Sequence, residues 1–371
     1  MTNPLTHAEI LGWLMEEDHG RLESLWTRAD QTRRAHVGDD VHLRGLIEVS
    51  SFCRRQCAYC GLRAGNRGLA RYRMEMGEIV GAARQALSLG FGTVVLQGGE
   101  DPGLRKDFVT DTIRAIKAET GLAVTLSLGE RSMEELGAWR AAGADRYLLR
   151  FETSDRSLFD MIHPGVGRAR ADRIGALKQI KRLGYETGSG VRVGLPGQTY
   201  ESLARDIELF RELDLDMIGI GPFIPHKDTP LGQLPAEHEL LVQGEVPRGA
   251  MMAYKVVALA RRMCPHANMP ATTALATINK VDGRELALQR GANVVMPNLT
   301  PPKYRKLYEI YPDKANVDAV TAGANDALHD MLKRLGRRAG AGPGSARRDA
   351  PMPSGRENEE KNLTTNLKEA A

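Results

Sequence analysis

Three of the chain's four cysteines fall within eight residues, Cys53-Arg-Arg-Gln-Cys57-Ala-Tyr59-Cys60, while the fourth, Cys264, stands alone. In a reducing compartment such a cluster reads as metal binding or redox chemistry before it reads as a disulfide framework. The C-x3-C-x2-C spacing lets one loop wrap three thiolates around a compact metal centre, and thiolates are the ligands of iron–sulfur clusters. A four-iron cluster normally takes four cysteines. With three, one iron is left for an exchangeable ligand, as catalytic metal sites keep an open position. Spacing alone leaves two other readings open: a zinc site completed by His36 or His42, and a structural cluster completed by Cys264. A lone cysteine such as Cys264, in Ala-Arg-Arg-Met-Cys-Pro-His, is also commonly just a small buried hydrophobe.

Other candidates stand at the ends of apolar runs. Arg150 lies two positions before Glu152 in Arg-Tyr-Leu-Leu-Arg-Phe-Glu, residues 146–152, so strand alternation points both to one face. A guanidinium buried there needs a partner or an anionic ligand. Gly98-Gly99-Glu100-Asp-Pro is equally a tight turn into a capped helix and a ligand-holding loop. Thr272 and Thr273 are β-branched and suit a strand. Arg173 stands in an Arg- and Lys-rich segment and by itself reads as a solvated charge; Leu195-Pro-Gly-Gln by itself says only turn.

These residues need a scaffold, and the apolar pattern supplies one. Candidate strands at 43–51, 93–97, 123–127, 146–152, 186–193, 217–221, 269–273 and 293–296 are separated by segments long enough for helices. Eight alternations predict parallel pairing with right-handed crossovers. The span 43–300 is close to the ~250 residues of a (β/α)8 barrel. A doubly wound sheet competes, but the first strand-to-helix turn lacks G-x-G-x-x-G. The expected fold is therefore α/β, a (β/α)8 TIM barrel with its active site at the C-terminal ends of the strands. Residues 1–37 are expected to form a helical extension, from Ile10, Leu11, Leu14, Leu22, Leu25 and Trp26. The barrel is assigned to 38–335, ending in a helix at 320–335. Gly, Pro and charge dominate 336–371, which is expected to be a disordered tail because it has too little apolar surface to offset ordering entropy.

At 42% hydrophobic and 26% charged the chain can bury a large core. Its net charge of +4 argues against nucleic acid or an anionic membrane as partner. No apolar run approaches ~18 residues, and residues 1–13 lack a signal-peptide pattern, so a soluble cytoplasmic protein is expected.

The cysteine motif, with aromatic Tyr59 before the last cysteine, resembles the signature of radical S-adenosylmethionine (SAM) enzymes, and the resemblance runs from about residue 38 to 335. Within that superfamily several segments resemble the [FeFe]-hydrogenase maturase branch. They are Cys-Ala-Tyr-Cys-Gly-Leu-Arg (57–63), Leu-Gln-Gly-Gly-Glu-Asp (96–101), Thr-Leu-Ser-Leu-Gly-Glu (125–130), Asp-Arg-Tyr-Leu-Leu-Arg-Phe-Glu-Thr (145–153), Val-Gly-Leu-Pro-Gly-Gln-Thr (193–199), Ile-Gly-Ile-Gly-Pro-Phe-Ile-Pro-His (218–226), Pro-Ala-Thr-Thr-Ala (270–274) and Ala-Asn-Val-Val-Met-Pro-Asn (292–298).

The resemblance implies a [4Fe–4S] cluster on Cys53, Cys57 and Cys60, whose open iron is chelated by SAM, and reductive cleavage of SAM to a 5′-deoxyadenosyl radical. By position match, Gly98, Gly99 and Glu100 hold the SAM ammonium, Glu152 meets its ribose and amino-acid end, Arg173 pairs with its carboxylate and Leu195 packs on adenine. Thr125, Arg150, Thr272, Thr273, Met296 and Tyr304 would line the substrate end. The implied role is assembly of the di-iron subcluster of the hydrogenase H-cluster. The implied substrate is a small cysteine-bound iron carbonyl cyanide complex, the implied partners are sister maturases, and the electron comes from a ferredoxin or flavodoxin.

Two departures are visible. Arg192 stands where the maturase pattern usually has an apolar residue, and 314–335 holds no cysteine for a second cluster. The alternatives are a radical mutase similar to methylornithine synthase and a non-catalytic iron–sulfur electron carrier completed by Cys264.

Overall fold

The computed structural model describes residues 4–165, 171–234, 244–315 and 322–346. Its centre is a parallel sheet of β1 (Asp40–Ser50), β2 (Thr93–Gly98), β3 (Ala123–Ser127), β4 (Arg146–Leu148), β5 (Glu186–Val193), β6 (Met217–Pro222), β7 (Val294–Val295) and β8 (Arg338–Ala339). The order is β6-β5-β4-β3-β2-β1-β7, with β8 paired to the start of β1. Two single-pair parallel bridges, Met217 with Asn268 and Pro270 with Val294, carry the ring from β6 to β7, so the strands close into the expected barrel.

The expected strand at 269–273 shrinks to this bridging segment because Pro270 has no N–H for a ladder and the helix Thr273–Ile278 starts at once. The expected strand at 146–152 is cut to three residues. There the Ser189 hydroxyl donates to Leu149 O (2.8 Å) and accepts from Phe151 N (3.1 Å), replacing ladder bonds. Glu152 then sits at φ 64°, a left-handed conformation that a side chain other than glycine rarely adopts.

Helices cover the outside through apolar faces at helical spacing. The helix Met76–Ser88 buries Ile79, Val80, Ala82, Ala83 and Ala86, and the helix Met133–Ala141 buries Trp139 completely. The N-terminal extension forms the helices His7–Met15 and His19–Val37, which pack on the outer helices Tyr200–Glu212 and Ala250–Met263. Lys255 fastens this layer by donating to the carbonyls of Leu14 (2.9 Å) and Glu16 (2.6 Å) at a helix end. No helix among the described residues is long and apolar enough to cross a membrane.

The start of the expected disordered tail is part of the fold. After the helix Ala322–Arg334, β8 pairs with Asp40 and Val41, and the chain then turns under the barrel. Pro343 O accepts from Thr93 Oγ1 and Arg146 Nη2, both at 2.9 Å, and Gly344 O accepts from Arg44 Nη2 and Asn268 Nδ2, both at 3.0 Å. Thr93 and Arg146 open β2 and β4, so this segment stoppers the N-terminal mouth of the barrel. A Cβ on Gly92 would overlap the Gly342 carbonyl, so the stopper fits backbone to backbone. Apolar composition missed it because buried guanidinium and amide groups, not hydrophobic area, hold it. The rest of the expected tail, 347–371, lies outside the described residues.

Truncation after Leu335 should therefore lower the melting temperature by about 5 °C or more, since it leaves buried donors on Arg44, Arg146 and Asn268 without acceptors. Truncation after Ala346, which keeps every one of these bonds, is the matched control in the same thermal scan.

Candidate active site

The cysteine loop leaves β1 at its C-terminal end and returns beside it. Ser51 N donates to Tyr72 O (3.1 Å) and Met74 N to Val49 O (2.9 Å). Arg71 braces the loop from within, donating to the carbonyls of Leu62 (2.7 Å), Arg63 (2.8 Å), Asn66 (3.1 Å) and Ser51. Gly99 meets the loop so closely that a Cβ would overlap Phe52 O and lie 2.8 Å from Cys53 Cβ. The glycine there is required by contact with the cysteine loop as well as by the turn.

A cavity of about 270 Å³ runs down the barrel from Cys53, Cys57 and Cys60 at the strand C-termini to Arg44 and Met217 near the stopper. Tyr59, Gly98, Gly99, Glu100, Thr125, Arg150, Glu152, Arg173, Thr272, Thr273 and Met296 all line it. Two expected residues do not. Leu195 packs in a small apolar cluster with Cys57, Ala58, Tyr59 and Phe223, behind the wall. Tyr304 stacks on Tyr72 with 4.4 Å between centroids, and its hydroxyl donates to Glu78 Oε2 (2.9 Å), a residue of the outer helix Met76–Ser88. The aromatic residues that do face the cavity from that region are Tyr308 and Tyr311.

The three cysteines are free thiols facing one space. Burial pushes all three thiols up, Cys60 to about 11, so these groups are not activated nucleophiles. A soft metal centre is what would ionise them, and the donor set fits an iron–sulfur cluster. Among the described residues no three His, Cys, Asp or Glu side chains converge on a single ion position. Zinc completion fails on placement: His36 packs edge-on against His266 (4.7 Å), and His42 lies near the start of β1, eight residues before its end at Ser50. Cys264 follows the helix Ala250–Met263 and precedes Asn268, which enters the barrel at its opposite mouth, so it is no fourth ligand.

Carboxylates and arginines arrange the space below the loop. Glu100 does not face the cavity as a free acid: Arg54 Nε and Arg55 Nε each donate to its Oε1 at 2.7 Å, and Glu130 N donates to Oε2 at 2.9 Å. Burial opposes its ionisation, but these donors hold its carboxyl below the usual range. Arg173, first residue of the helix Arg173–Arg182, donates Nη1 to Arg150 O (2.7 Å) and Nε to Glu130 Oε1 (3.1 Å). It is thus a cavity-lining cation, not a solvated one. Glu152 Oε1 accepts from the Tyr59 hydroxyl (3.1 Å) and lies 3.8 Å from Arg192, whose guanidinium sits 4.3 Å over the Tyr59 ring. Glu152 Oε2 is buried without a hydrogen-bond partner among the described residues, which fits a ligand that brings hydroxyl donors.

Deeper, Arg150 lies over Gly219 and Gly221 of β6, glycines that leave room for its guanidinium. Among the described residues nothing accepts a hydrogen bond from that side chain, and burial lowers its pKa. Thr125 Oγ1 is likewise buried without a partner there, whereas Thr272 Oγ1 is committed to Ile220 O (3.0 Å). Sequence reasoning missed the buried pair Glu48–Lys314 (2.7 Å), which also lines the wall. Its signal was present: Glu48 interrupts an apolar strand as Arg150 does. It also missed His163, which touches Cys57 and Tyr59.

A barrel with three cysteines at its catalytic mouth places the chain in a class, and comparison with known proteins agrees. The chain belongs to the radical SAM superfamily, whose profile matches residues 47–221. It is 46% identical over 331 residues, 89% of this chain and 91% of the relative, to the [FeFe] hydrogenase maturase subunit HydE of Thermotoga maritima, which makes it a HydE-like radical SAM enzyme. It is 30% identical over 300 residues, 80% of each chain, to 3-methylornithine synthase of Methanosarcina barkeri. The crystal structure of methylornithine synthase (PylB) superposes with TM-score 0.76 at 26% identity over 91% of this chain and 95% of that one. The maturase HydG shares the fold, with TM-score 0.74 at 19% identity, over 90% of this chain and 72% of its own. The family implies a [4Fe–4S] cluster and SAM.

Behind Glu152, the Ser154 amide donates to the buried Asp206 carboxylate, whose pKa burial raises to about 7 from 3.8. Between those values the folded protein holds a proton that the unfolded chain has lost, so stability falls as pH rises through this window and levels above it. Asp206→Asn keeps an acceptor for Ser154 and should flatten that slope. The variant should gain up to roughly 3–4 kcal/mol over wild type at pH 8 relative to pH 4, measured by urea unfolding.

Proposed function

We propose that this protein binds a [4Fe–4S] cluster on Cys53, Cys57 and Cys60, cleaves SAM reductively, and acts in assembly of the [FeFe]-hydrogenase di-iron subcluster. The observation carrying the reading is the cavity that joins the cysteine loop, the half-satisfied Glu152 and the Arg150 guanidinium in one space. When bound, the cluster supplies an electron to SAM, which splits into methionine and a 5′-deoxyadenosyl radical.

The chain's own residues position the reactants. Arg173 offers a guanidinium fork to the SAM carboxylate, Gly98 and Gly99 bring backbone close to its ammonium, and Glu152 accepts from its ribose hydroxyls. Arg150 holds an anionic group of the substrate, because a buried guanidinium cannot escape its desolvation cost by losing a proton. The barrel wall and the stoppered floor limit the access of water to the reacting centre. The proposed substrate is a small cysteine-bound iron carbonyl cyanide complex supplied by a sister maturase, and the proposed reductant is a ferredoxin or flavodoxin. The likeness to methylornithine synthase supports a second reading, a small-molecule radical mutase using the same barrel.

Anaerobic reconstitution should load about four irons per chain. Alanine at Cys53, Cys57 or Cys60 should abolish loading, whereas Cys264→Ala should retain it; iron lost in the latter would favour the electron-carrier reading.

The decisive assay mixes the loaded protein with two sister maturases, SAM, reductant and an apo-hydrogenase. Hydrogenase activity should appear, and Arg150→Leu should reduce it at least tenfold while 5′-deoxyadenosine still forms. Failure of the wild-type protein, with 5′-deoxyadenosine produced, would move the assignment to the mutase.

A further inference from the structure

We infer that the buried guanidinium of Arg192 raises the reduction potential of the centre held by the cysteine loop and so eases entry of the electron. The inference rests on the proposed [4Fe–4S] cluster at Cys53, Cys57 and Cys60. Arg192 is the penultimate residue of β5, and its side chain, 13% exposed, turns into the cavity that the three cysteines line. Its guanidinium sits 4.3 Å over the ring of Tyr59, the residue before Cys60, and Tyr59 packs with Cys57 in one small cluster behind the loop. Its charge is poorly answered. Glu152 Oε1 lies 3.8 Å from Nη2, too far for a hydrogen bond, and Nε is buried without a hydrogen-bond partner among the described residues.

A guanidinium in such a place is costly, because it cannot shed its charge by losing a proton and an apolar side chain would carry no desolvation penalty there. The neighbouring centre gains from it. Reduction of an iron–sulfur centre adds one electron and one negative charge, with no bond made or broken and no proton taken up; the electron comes from a one-electron carrier such as the proposed ferredoxin or flavodoxin. A cation held nearby favours the more negative form, and a site of low polarity keeps that preference strong. Glu152 opposes the effect, but the positive charge of Arg192 is felt at Cys60 more strongly than the negative charge of Glu152. Arg173 is the corresponding cation at Cys57, yet its Nε is bonded to the Glu130 carboxylate at 3.1 Å, which offsets its charge at close range. Arg192 is thus the cation beside the loop whose carboxylate stands off. The consequence is a trade: the centre accepts its electron more readily and passes it to SAM with less drive.

The test is a redox titration of the full, reconstituted protein without SAM, followed by the electron paramagnetic resonance signal of the reduced centre. In Arg192→Met the ratio of reduced to oxidised protein at a fixed potential should fall about tenfold, the scale of one buried charge at side-chain distances under an effective dielectric constant of about 20. That is a midpoint lower by about 59 mV for a one-electron couple. Arg192→Lys, which keeps the charge, and Arg150→Met, which removes a buried cation deeper in the cavity, should each stay within about threefold of wild type. An unchanged midpoint in Arg192→Met overturns the inference. So does an equal fall in Arg192→Lys or in Arg150→Met, which would trace the shift to packing or to any buried cation. Should Arg192→Met take up no iron, Arg192→Gln is read against wild type by the same criterion. Wild-type protein that loads no iron overturns the proposed cluster and the inference with it, a failure seen in the iron content before any potential is measured.

Discussion

One carboxylate fastens the catalytic mouth of this barrel. Glu100, just past β2, takes two arginines of the cysteine loop after β1 and the Glu130 amide after β3. Glu130 then passes the connection to Arg173, on the helix that follows the β4 region, and also pairs with Arg55 (3.0 Å). Four loops from four staves are thereby held relative to one another by charge-assisted bonds rather than by apolar area. Such a device suits a site that must present polar groups inward, because the apolar residues are committed to the strand–helix layer outside. It also makes the mouth brittle: removing Glu100 would leave Arg55 nearly buried with only Glu130 to answer it, and uncompensated buried charge is among the costliest defects a fold can carry.

The same logic closes the other end. A barrel core built only of branched aliphatic side chains would fill itself; this one keeps Arg44, Arg146 and Asn268 at its floor and satisfies them with carbonyls of the stopper. The cavity between mouth and floor therefore survives as a space with polar walls. A stoppered floor matters for radical chemistry, where access of water or stray hydrogen donors competes with the substrate.

Much of this was legible in the sequence, and the misses share a cause. The eight staves followed from alternation, and Arg150 and Glu152 both line the cavity as their spacing suggested, although the strand stops at Leu148 and irregular backbone places them. Reading Glu48 in the same way would have placed a carboxylate inside the barrel, though not its partner Lys314. The stopper was invisible because its contribution is backbone carbonyl oxygen, which composition does not record. Tyr304 and Leu195 matched by position yet face elsewhere: the four-residue helix Pro302–Arg305 turns Tyr304 toward Glu78, and Leu195 backs the loop from behind. The left-handed backbone at Glu152 could not be read from residue type at all, since glutamate gives no sign of it.

Pairing the charges along the cavity indicates what it is built to accept. Lys314 answers Glu48, Arg173 answers Glu130, and Arg192 answers Glu152 while covering Tyr59. Arg192, the departure from the maturase pattern, is therefore absorbed by a carboxylate already present and adds no free charge to the substrate end. Two cations are left over. Arg150 has no acceptor among the described residues, and Arg44 has only the Met217 sulfur and the Gly344 carbonyl. Both line the part of the cavity below the cysteines, and burial lowers the pKa of each, the signature of charge kept in a poor solvent. Guanidinium groups with no ion-pair partner within 4 Å among the described residues, at two depths of one space, select for anions and against neutral or cationic molecules of equal size. The substrate is thus expected to bring negative charge of its own, a requirement that an anionic iron cyanide complex meets and that a zwitterionic amino acid meets only with its carboxylate.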